Sequence, residues 1–335
     1  MKILHTLQWK QFAGTEKVCV DLCNEMAKTN EVFLLSDEKI APYLSERVNL
    51  IKFNFEHNRY NPLFLLQTAQ LLIKISPDII HCHNTKEIEI MYRARNLARF
   101  LGSRKIGVVA TKHTLQVKKN YKLADLCVAV LEDTKEILPT NSIIIKNAMA
   151  YKKPKKRGGR EYRSNKFSII SAARLSAPKG MDIIIKALAD VNFDFECTIF
   201  GSGEEEENLK DLIKELGLEE KINIAGFTDH LQDYLSACNL QIIASAFEAY
   251  GLTAIDGVYY SPLLISTAVG ICTEILPKEL LFERDILSLR RKLNEVYENY
   301  EEFKAIFSKV KEKCKGEFDM SNVVNQYIKA YKSLL

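Results

Sequence analysis

Short apolar runs alternate with longer amphipathic stretches along the first 150 residues. The runs are rich in Val, Ile and Leu and are bounded by polar residues or proline, which is typical of buried strands. They are MKILHTL, EVFLLS, VNLIKF, PDIIHCHN, IGVVATKHT, ADLCVAV and SIIIKN. Between the first two runs, Val18, Leu22 and Met26 lie four residues apart, as on one face of a helix. The alternation predicts a parallel, doubly wound α/β sheet.

The same rhythm begins again at residue 167 and continues through the second half. Strands are predicted at FSIISAA, FECTIFG, INIAGF, LQIIAS and PLLIST, with amphipathic segments such as LTAIDGVYY between them as helices. Residues 283–335 are predicted to be helical throughout. The whole pattern predicts two parallel sheets in sequence, with a cleft between their C-terminal edges, where ligands would bind outside the carboxyl ends of the strands.

A segment of different composition joins the two halves. Residues 151–166 are basic, contain Pro154 and the pair Gly158–Gly159, and lack apolar periodicity, which indicates a linker or an exposed loop. We therefore predict a first domain over 1–150, a basic linker over 151–166 and a second domain over 167–317. The remaining residues, 318–335, are predicted to form a C-terminal helix that packs back on the first domain.

The composition narrows the class of protein. The chain has 335 residues, of which 47% are apolar, enough for two hydrophobic cores. No apolar run approaches the roughly 18 residues of a membrane span, and the N-terminus lacks the apolar core of a signal peptide. The eight cysteines form no C-x-x-C pair and several lie in apolar runs. We expect a cytoplasmic protein whose thiols are small buried hydrophobes, neither disulfides nor zinc ligands.

The charge is unevenly distributed along the chain. The net charge of +4 combines +6 over residues 1–150, +7 over 151–166 and −9 over 167–335. A basic first half fits an anionic partner, such as a membrane surface or a phosphate-bearing acceptor, and a solvated surface without any partner fits the same charges equally well. No nucleic acid is expected as a partner.

Two cations follow the first strand of the second half. Arg174 and Lys179 are separated by four residues, and Gly180 comes directly after them. A guanidinium and an ammonium suit a diphosphate, and a glycine that opens a helix brings backbone N–H groups to an anion. By itself the spacing is also that of an ordinary polar loop.

The next two predicted strands end in glycine turns. Gly201 and Gly203 follow FECTIF, and their missing side chains permit close approach of a ligand to the backbone. Phe227 follows INIAG and could form one wall of a nucleobase site. Each turn is equally compatible with a loop that binds nothing.

The segment Ser245–Gly257 carries the strongest signal. Glu248 follows a strand, Tyr250 and Gly251 precede a predicted helix, and Asp256 lies eight positions after Glu248. Free N–H groups at a helix that begins near Gly251 would hold a phosphate, and the two carboxylates suit sugar hydroxyls. Taken singly, Glu248 is also a normal helix N-terminal acid and Asp256 a normal surface residue.

Together these residues resemble the retaining glycosyltransferases of family 4, which have the GT-B fold of two facing Rossmann-like domains. The resemblance extends over nearly the whole chain. In the first half it rests on the loop Ala13–Glu16, on the strand Pro77–His83 with its His-x-His ending, and on His113 after the next strand. In the second half it rests on Arg174, Lys179, Gly180, Gly201, Gly203, Ser245, Glu248, Gly251, Leu252 and Asp256.

The resemblance implies a role for each matched residue. Arg174 and Lys179 would hold the diphosphate of a UDP- or GDP-linked donor, with support from backbone groups of Gly251, Leu252 and Thr253. Asp256 would bind the ribose and Glu248 the transferred sugar. From the first half, Gly14 would approach the diphosphate and His113 would contact the sugar near the reacting carbon. Gly180, Gly201, Gly203, Phe227 and Tyr250 complete the implied donor site.

The implied reaction transfers a sugar with retention of its anomeric configuration to a glycan or lipid-linked saccharide, as in cell-surface polysaccharide synthesis. No cofactor and no catalytic metal are expected. Three positions depart from the family pattern: Asp256 replaces the usual Glu, Ala13 a usual Gly, and Ala148 the Gly of an Asn-Gly pair. They keep open a catalytically silent partner of the same fold, and a nucleotide-sugar epimerase is a further alternative.

The remaining histidines are expected to be structural. His81 and His83 would share one strand face, a spacing that can chelate a metal, but the sequence indicates no third ligand. We therefore expect both to pack near the cleft. His5, His57 and His230 are expected to be ordinary core or surface residues.

Overall fold

The computed structural model describes residues 1–9, 12–114, 116, 118–155 and 166–335. Contacts divide the chain into two compact units, Met1–Ala150 with Gly316–Leu335, and Tyr151–Lys315. Most of the predicted linker, residues 156–165, lies outside the described residues. The C-terminal helix belongs to the first unit.

The strands of the described chain are short, and the predicted apolar runs all contain one. They are β1 (Lys2–Thr6), β2 (Glu31–Ser36), β3 (Val48–Lys52), β4 (Ile79–Cys82), β5 (Gly107–Lys112), β6 (Leu126–Ala129), β7 (Ser142–Ile144), β8 (Phe167–Ala172), β9 (Phe195–Phe200), β10 (Ile222–Gly226), β11 (Leu240–Ile243) and β12 (Leu264–Ser266).

The helices connect these strands and form the C-terminal region. They are α1 (Gly14–Met26), α2 (Pro62–Ile75), α3 (Thr85–Phe100), α4 (Glu132–Glu136), α5 (Met181–Leu188), α6 (Glu206–Glu215), α7 (Leu231–Leu235), α8 (Leu252–Tyr260), α9 (Cys272–Ile275), α10 (Ile286–Glu298), α11 (Tyr300–Lys313) and α12 (Met320–Lys332). Short 3-10 helices occupy Glu38–Tyr43, Lys119–Leu123, Ala177–Lys179 and Lys278–Leu280.

Both sheets are parallel, which confirms the predicted fold class. In the first unit the order is β3-β2-β1-β4-β5-β6-β7, and in the second it is β10-β9-β8-β11-β12. Each unit therefore places the carboxyl ends of its strands at one edge, and each has a switch point beside its first strand, where open α/β sheets bind ligands.

Local sequence explains where the helices start. Asn61 accepts bonds from the N–H groups of Leu63 and Phe64, and Pro62 occupies the first turn of α2, where its missing donor costs nothing. Asp285 and Asp319 cap α10 and α12 in the same way.

The prediction of continuous helix over 283–335 is wrong at two places. Asn299 separates α10 from α11, and residues 314–319 separate α11 from α12. The second break contains Gly316 with φ +78°, a left-handed conformation that favours glycine, and it ends at the Asp319 cap. This break is where the chain leaves the second unit and returns to the first.

The sheet of the first unit is covered on both faces. Leu4 and Ile80 pack with Leu72 of α2 and Met91 of α3 on one face. On the other face lie α1 and α12, and Tyr327 and Tyr331 of α12 are almost fully buried. Among the described residues, no helix has both the length and the apolar character needed to cross a bilayer.

Candidate functional site

Four of the predicted sites follow neighbouring strands of the second sheet. In the order β10-β9-β8-β11, the loops after the strands carry Phe227, then Gly201 and Gly203, then Arg174 and Lys179, then Glu248. Because all these strands are parallel, the four loops lie along one edge of the sheet. Residues far apart in the sequence are therefore neighbours in the fold.

Lys179 and Glu248 form a direct ion pair at this edge. The Nζ atom of Lys179 lies 2.5 Å from Oε1 of Glu248, and the hydroxyl of Ser245 donates to the same oxygen at 2.8 Å. The side chains are 23% and 16% exposed, so a ligand can reach them from solvent. The pair joins the two loops to which the sequence assigned the diphosphate and the transferred sugar.

Arg174 presents an unpaired cation in the same loop as Lys179. Its side chain is exposed, and it forms no hydrogen bond or ion pair with any part of the chain that the structure describes. An unpaired guanidinium at the carboxyl end of β8 can bind an anion without first breaking a contact within the protein.

Arg284 supports the same loops and was missed by the sequence analysis. Its Nε donates to the carbonyl of Ala244 at 3.1 Å, and its Nη2 donates to the carbonyl of Ala177 at 3.2 Å. A backbone bond from Ala246 N–H to the Pro178 carbonyl, 2.7 Å long, connects the loops again. The segment around Arg284 has no spacing that links it to either loop, so only the fold reveals this contact.

Close backbone packing explains two of the glycines. Gly201 has φ +135°, and a Cβ atom there would lie 1.8 Å from the carbonyl oxygen of Ala173. At Gly203 it would lie 2.2 Å from the carbonyl oxygen of Leu175. The missing side chains are thus required by the protein's own loops, whether or not a ligand binds there.

The start of α8 has the geometry that the sequence predicted. Gly251 has φ +93° and precedes the first helical residue, so the N–H groups of Leu252 and Thr253 have no acceptor within the helix. The side-chain amide of Gln241, on β11, donates to the carbonyl of Thr253 at 2.8 Å and holds the first turn of α8 in place. The helix start can therefore offer N–H groups to an anion.

The other residues predicted for the donor site in the second unit differ in their exposure to solvent. Phe227 is 70% exposed and stands at the edge of the sheet, whereas Tyr250 is buried and its carbonyl accepts the N–H of Ile271 at 2.7 Å. Asp256 is half-buried on α8. Burial of the Tyr260 hydroxyl, together with the nearby negative charge of Asp256, raises the pKa of Tyr260 to about 12.

The first unit contains a chain of stacked histidines at the ends of its central strands. Nδ1 of His5 lies 3.1 Å from Nε2 of His83, and Nδ1 of His83 lies 3.1 Å from Nε2 of His113. His81 is bonded to the hydroxyls of Thr111 at 2.7 Å and Tyr331 at 2.6 Å. His113, predicted from the sequence as a site residue, is thus the outer end of a buried chain of imidazoles.

Burial keeps these imidazoles neutral. It lowers the pKa of His5 to about 3 and that of His113 to about 4, and it lowers the pKa of His81 and His83 well below the usual value. A neutral imidazole carries one N–H and one lone pair, so His83, which lies between His5 and His113, donates to one of them and accepts from the other.

One expectation about the histidines is wrong. A nitrogen of His5 lies within 4.8 Å of nitrogens of His81 and His83, so this pair does have a third candidate ligand. His5 itself is buried in the core, one of the two places expected for it, and it belongs to the chain of imidazoles. The sequence could not show this, because β1 and β4 become neighbours only through the crossover of the sheet. His57 and His230 lie at the surface, as expected.

Glu87 organises the same edge and was also missed. Its buried carboxylate accepts bonds from the Thr6 hydroxyl at 2.9 Å, the Gln8 N–H at 2.6 Å and the His83 N–H at 2.9 Å. Burial raises its pKa to about 7, although the hydrogen bonds favour the ionised form. It ties together the ends of β1 and β4 at the start of α3.

Two family descriptions match the two halves of the chain. "Glycosyl transferases group 1" matches residues 152–313, and "Glycosyltransferase Family 4" matches residues 12–142. The chain belongs to the group 1, family 4 glycosyltransferases with the GT-B fold. This assignment confirms the resemblance drawn from the motifs.

Solved structures show the same fold as this family 4 chain. The Anabaena protein HepE in complex with UDP and glucose has a TM-score of 0.83 at 18% identity, and the alignment covers 99% of this chain and 100% of that one. A glycosyltransferase from Rickettsia africae has a TM-score of 0.82 at 19% identity, over 99% and 98% of the two chains.

Among curated relatives, the family 4 chain resembles a Campylobacter jejuni protein. That protein is named N-acetylgalactosamine-N,N'-diacetylbacillosaminyl-diphospho-undecaprenol 4-alpha-N-acetylgalactosaminyltransferase. The two are 33% identical over 99 residues, which is 30% of this chain and 27% of that protein. The match thus spans about a quarter of the relative's length.

Proposed function

We propose that this family 4 chain transfers a sugar from a nucleoside diphosphate sugar to a glycan or lipid-linked saccharide, with retention of configuration. The observation that carries the proposal is the pair of Lys179 and Glu248, together with an unpaired Arg174 in the same loop as Lys179 and the helix start at Gly251. These groups combine a cationic site for a diphosphate with a carboxylate for a sugar.

The cations would hold and then stabilise the leaving group. Arg174 is free to form a forked contact with phosphate oxygens, and the Lys179 ammonium has three donors, of which Glu248 uses one. The N–H groups of Leu252 and Thr253 would add neutral donors to the same phosphates. As the glycosidic bond to the phosphate breaks, negative charge grows on the departing diphosphate, and fixed donors stabilise that charge. These groups would do the work that a metal ion does elsewhere, so we propose a metal-independent transfer without a cofactor.

Glu248 would position the sugar. Its Oε1 is occupied by Lys179 and Ser245, while Oε2 forms no hydrogen bond with the residues that the structure describes, so the second oxygen can accept a hydrogen bond from a hydroxyl of the transferred sugar. Asp256 would bind the ribose hydroxyls from α8, and Phe227 would lie against the base of a UDP- or GDP-linked donor. No protein nucleophile is needed in this scheme.

The first unit would contribute Gly14 to the diphosphate and His113 to the sugar. Gly14 is the first residue of α1, and Ala13 before it has φ −142°, an extended conformation that alanine adopts without strain. The Ala13 departure from the family pattern therefore does not disturb the start of α1, which argues against the catalytically silent alternative.

A lipid-linked saccharide is the acceptor class that we propose. The name of the C. jejuni relative includes diphospho-undecaprenol, a lipid diphosphate, and the positive charge of residues 1–150 would suit a phosphate-bearing acceptor. We propose action in polysaccharide synthesis at the cytoplasmic face of a membrane.

The direct test is donor turnover. Purified protein should be incubated with UDP-glucose, UDP-N-acetylglucosamine, UDP-N-acetylgalactosamine or GDP-mannose, each with and without a panel of undecaprenyl-diphosphate saccharides in EDTA. We expect one donor to release its nucleoside diphosphate only when an acceptor is present, with an α-linked product from an α-linked donor. An inverted product would refute retention, and a donor epimerised without acceptor would favour the epimerase alternative.

The outer face of α2 is suited to an anionic membrane. Leu63, Leu66 and Ile73 are 62%, 37% and 38% exposed on this helix, and Lys74 lies beside Ile73. An exposed apolar helix face with flanking cations is typical of helices that lie in a membrane interface. Each basic residue near an anionic surface contributes up to about 1 kcal/mol, and salt screens it.

We therefore expect the protein to bind vesicles that contain phosphatidylglycerol, and to bind less as salt is added. The double variant Leu63→Gln, Leu66→Gln should lower the bound fraction about tenfold, measured by vesicle co-sedimentation, since it removes two apolar side chains from the interface. Leu216→Gln, at a similarly exposed leucine of the second unit, is the matched control. Equal binding to neutral and anionic vesicles would exclude this surface as an electrostatic anchor.

A further inference from the structure

Against the expectation that no cysteine of this chain is a zinc ligand, we propose that His5, Cys19 and Cys23 form a binding site for Zn²⁺ inside the first unit. The site is separate from the cations proposed for the transfer reaction, which lie in the second unit. It is a structural site that would bind the ion without the donor or the acceptor.

The three side chains converge from two elements. His5 lies on β1, and Cys19 and Cys23 lie four residues apart, on one face of α1. One nitrogen of His5 and the two sulfur atoms all lie within 4.8 Å of one another, and all three residues have no exposed surface. Around a tetrahedral zinc with Zn–S bonds of about 2.3 Å, ligand atoms are roughly 3.8 Å apart, so small side-chain rotations bring the donors to bonding distance.

One atom of this cluster is buried without a partner. Nε2 of His5 forms no hydrogen bond with any residue that the structure places, while Nδ1 of the same ring is bonded to His83. Buried polar atoms are normally satisfied, so the orphaned Nε2, on a ring of which one nitrogen lies within 4.8 Å of two thiol sulfur atoms, indicates a missing partner. In the tautomer that carries the proton on Nδ1, Nε2 has a lone pair, to which a partner would offer an empty orbital or a proton.

The surroundings of His5 match those of a metal-bound histidine. With Nε2 on the metal, Nδ1 carries the proton and donates to Nε2 of His83, which in turn donates from Nδ1 to His113. Metal-bound histidines usually donate their other N–H in this way, and the bond fixes both the tautomer and the ring orientation.

The alternative ligand set His5, His81 and His83 is less suitable. Both ring nitrogens of His81 are used by Thr111 and Tyr331, and both ring nitrogens of His83 are used by other histidines. A metal bound by the three histidines would have to break several buried hydrogen bonds. A metal bound by His5, Cys19 and Cys23 would instead give a partner to Nε2 of His5, which now has none among the described residues.

Charge and ligand type select the ion. Two thiolates and one neutral imidazole balance the charge of Zn²⁺, so the buried site would be neutral, while Cu⁺ would leave one negative charge in the core. Thiolate and imidazole ligands also exclude Mg²⁺ and Ca²⁺, which prefer oxygen. The fourth position of a tetrahedral zinc would be taken by water or another small ligand.

The test uses the full chain, stripped with a chelator under reducing conditions and then titrated with Co²⁺. We expect one equivalent to bind, with a thiolate-to-cobalt charge-transfer band in the near ultraviolet that Zn²⁺ abolishes. The double variant Cys19→Ala, Cys23→Ala should bind at least 100-fold more weakly and lose the band. The variant Cys197→Ala, Cys238→Ala, which changes two buried cysteines of the second unit, should behave like the unmodified chain.

A second measurement does not depend on the variants folding. X-ray absorption of the zinc-loaded unmodified chain should give two sulfur ligands and at least one imidazole nitrogen. Failure of the unmodified chain to bind one equivalent of Co²⁺ or Zn²⁺ would overturn the proposal. Coordination without sulfur, or full affinity in a folded Cys19→Ala, Cys23→Ala variant, would do so as well.

Discussion

Replacing Lys179 with alanine is expected to lower kcat by about 10²–10³-fold, the usual cost of removing one preorganised donor from a developing negative charge. Lys179 is fixed by its ion pair with Glu248 at the carboxyl edge of the second sheet, so its ammonium is in place before the donor binds. The measurement is the steady-state rate of nucleoside diphosphate release with the donor and acceptor that the unmodified chain uses.

Lys186→Ala is the matched control for this prediction. Lys186 lies in the same unit on α5, where its ion pair among the described residues is with Asp182, at 3.5 Å on the surface. Its loss should leave kcat unchanged. The Lys179 ion pair is partly exposed, so its removal should cost no more than about 1 kcal/mol of stability, and urea unfolding will show that the variant is folded. Full activity in a folded Lys179→Ala chain would remove Lys179 from the reaction.

Replacing Glu248 with alanine is expected to separate turnover from nucleotide binding. We predict a loss in kcat of about 10²-fold or more, because the sugar loses the carboxylate that positions it. Affinity for the nucleoside diphosphate alone should stay within about threefold, since we propose that the diphosphate contacts Lys179 and Arg174 rather than Glu248. Initial rates and calorimetric titration of the same protein samples give the two quantities.

Equal losses in rate and in nucleotide affinity would place Glu248 in the nucleotide site instead. Glu207→Gln, at an exposed acid on α6, is the control and should change neither quantity. The double variant Lys179→Ala, Glu248→Ala should be less impaired than the sum of the single effects. The two side chains are in direct contact, and residues in contact are normally coupled.

Local sequence was sufficient to predict most of the strands and helices and the residue at which α8 starts. The apolar runs mark the strands because strands buried on both faces leave a continuous apolar signal. The start of α8 follows from Gly251, whose left-handed backbone favours glycine directly before a helix. The breaks in the C-terminal helices were missed, because the amphipathic periodicity continues across Asn299 and the Gly316 turn while tertiary packing decides where each helix ends.

The contacts within the candidate site depend on the order of strands, which periodicity does not encode. Lys179 and Glu248 are 69 residues apart and meet because β8 and β11 are adjacent in the sheet. His5 meets His83 for the same reason, through β1 and β4. The motifs assigned a specific role to each residue only through the family resemblance. They gave no signal for Arg284, which contacts backbone carbonyls, or for Glu87, which accepts from backbone N–H groups and from the Thr6 hydroxyl.

The glycines illustrate a limit of motif reasoning. Gly201 and Gly203 match the family pattern, and the sequence suggested close approach of a ligand. In the structure, the carbonyl groups of Ala173 and Leu175 lie so close to these two glycines that a Cβ atom would clash with them at either position. A glycine at a functional loop can thus be required by packing alone, so its presence is weaker support for ligand binding than the unpaired cation at Arg174.

We propose that the carboxyl edge of the second sheet binds the diphosphate of a nucleotide sugar. The most direct measurement is calorimetric titration of the chain with UDP and with GDP in the presence of EDTA. We predict that one of them binds at a single site, with a Kd between about 1 μM and 1 mM, and that Arg174→Ala weakens this binding at least tenfold. If neither nucleotide bound, or if Arg174→Ala bound it as tightly as the unmodified chain, the proposal would be contradicted.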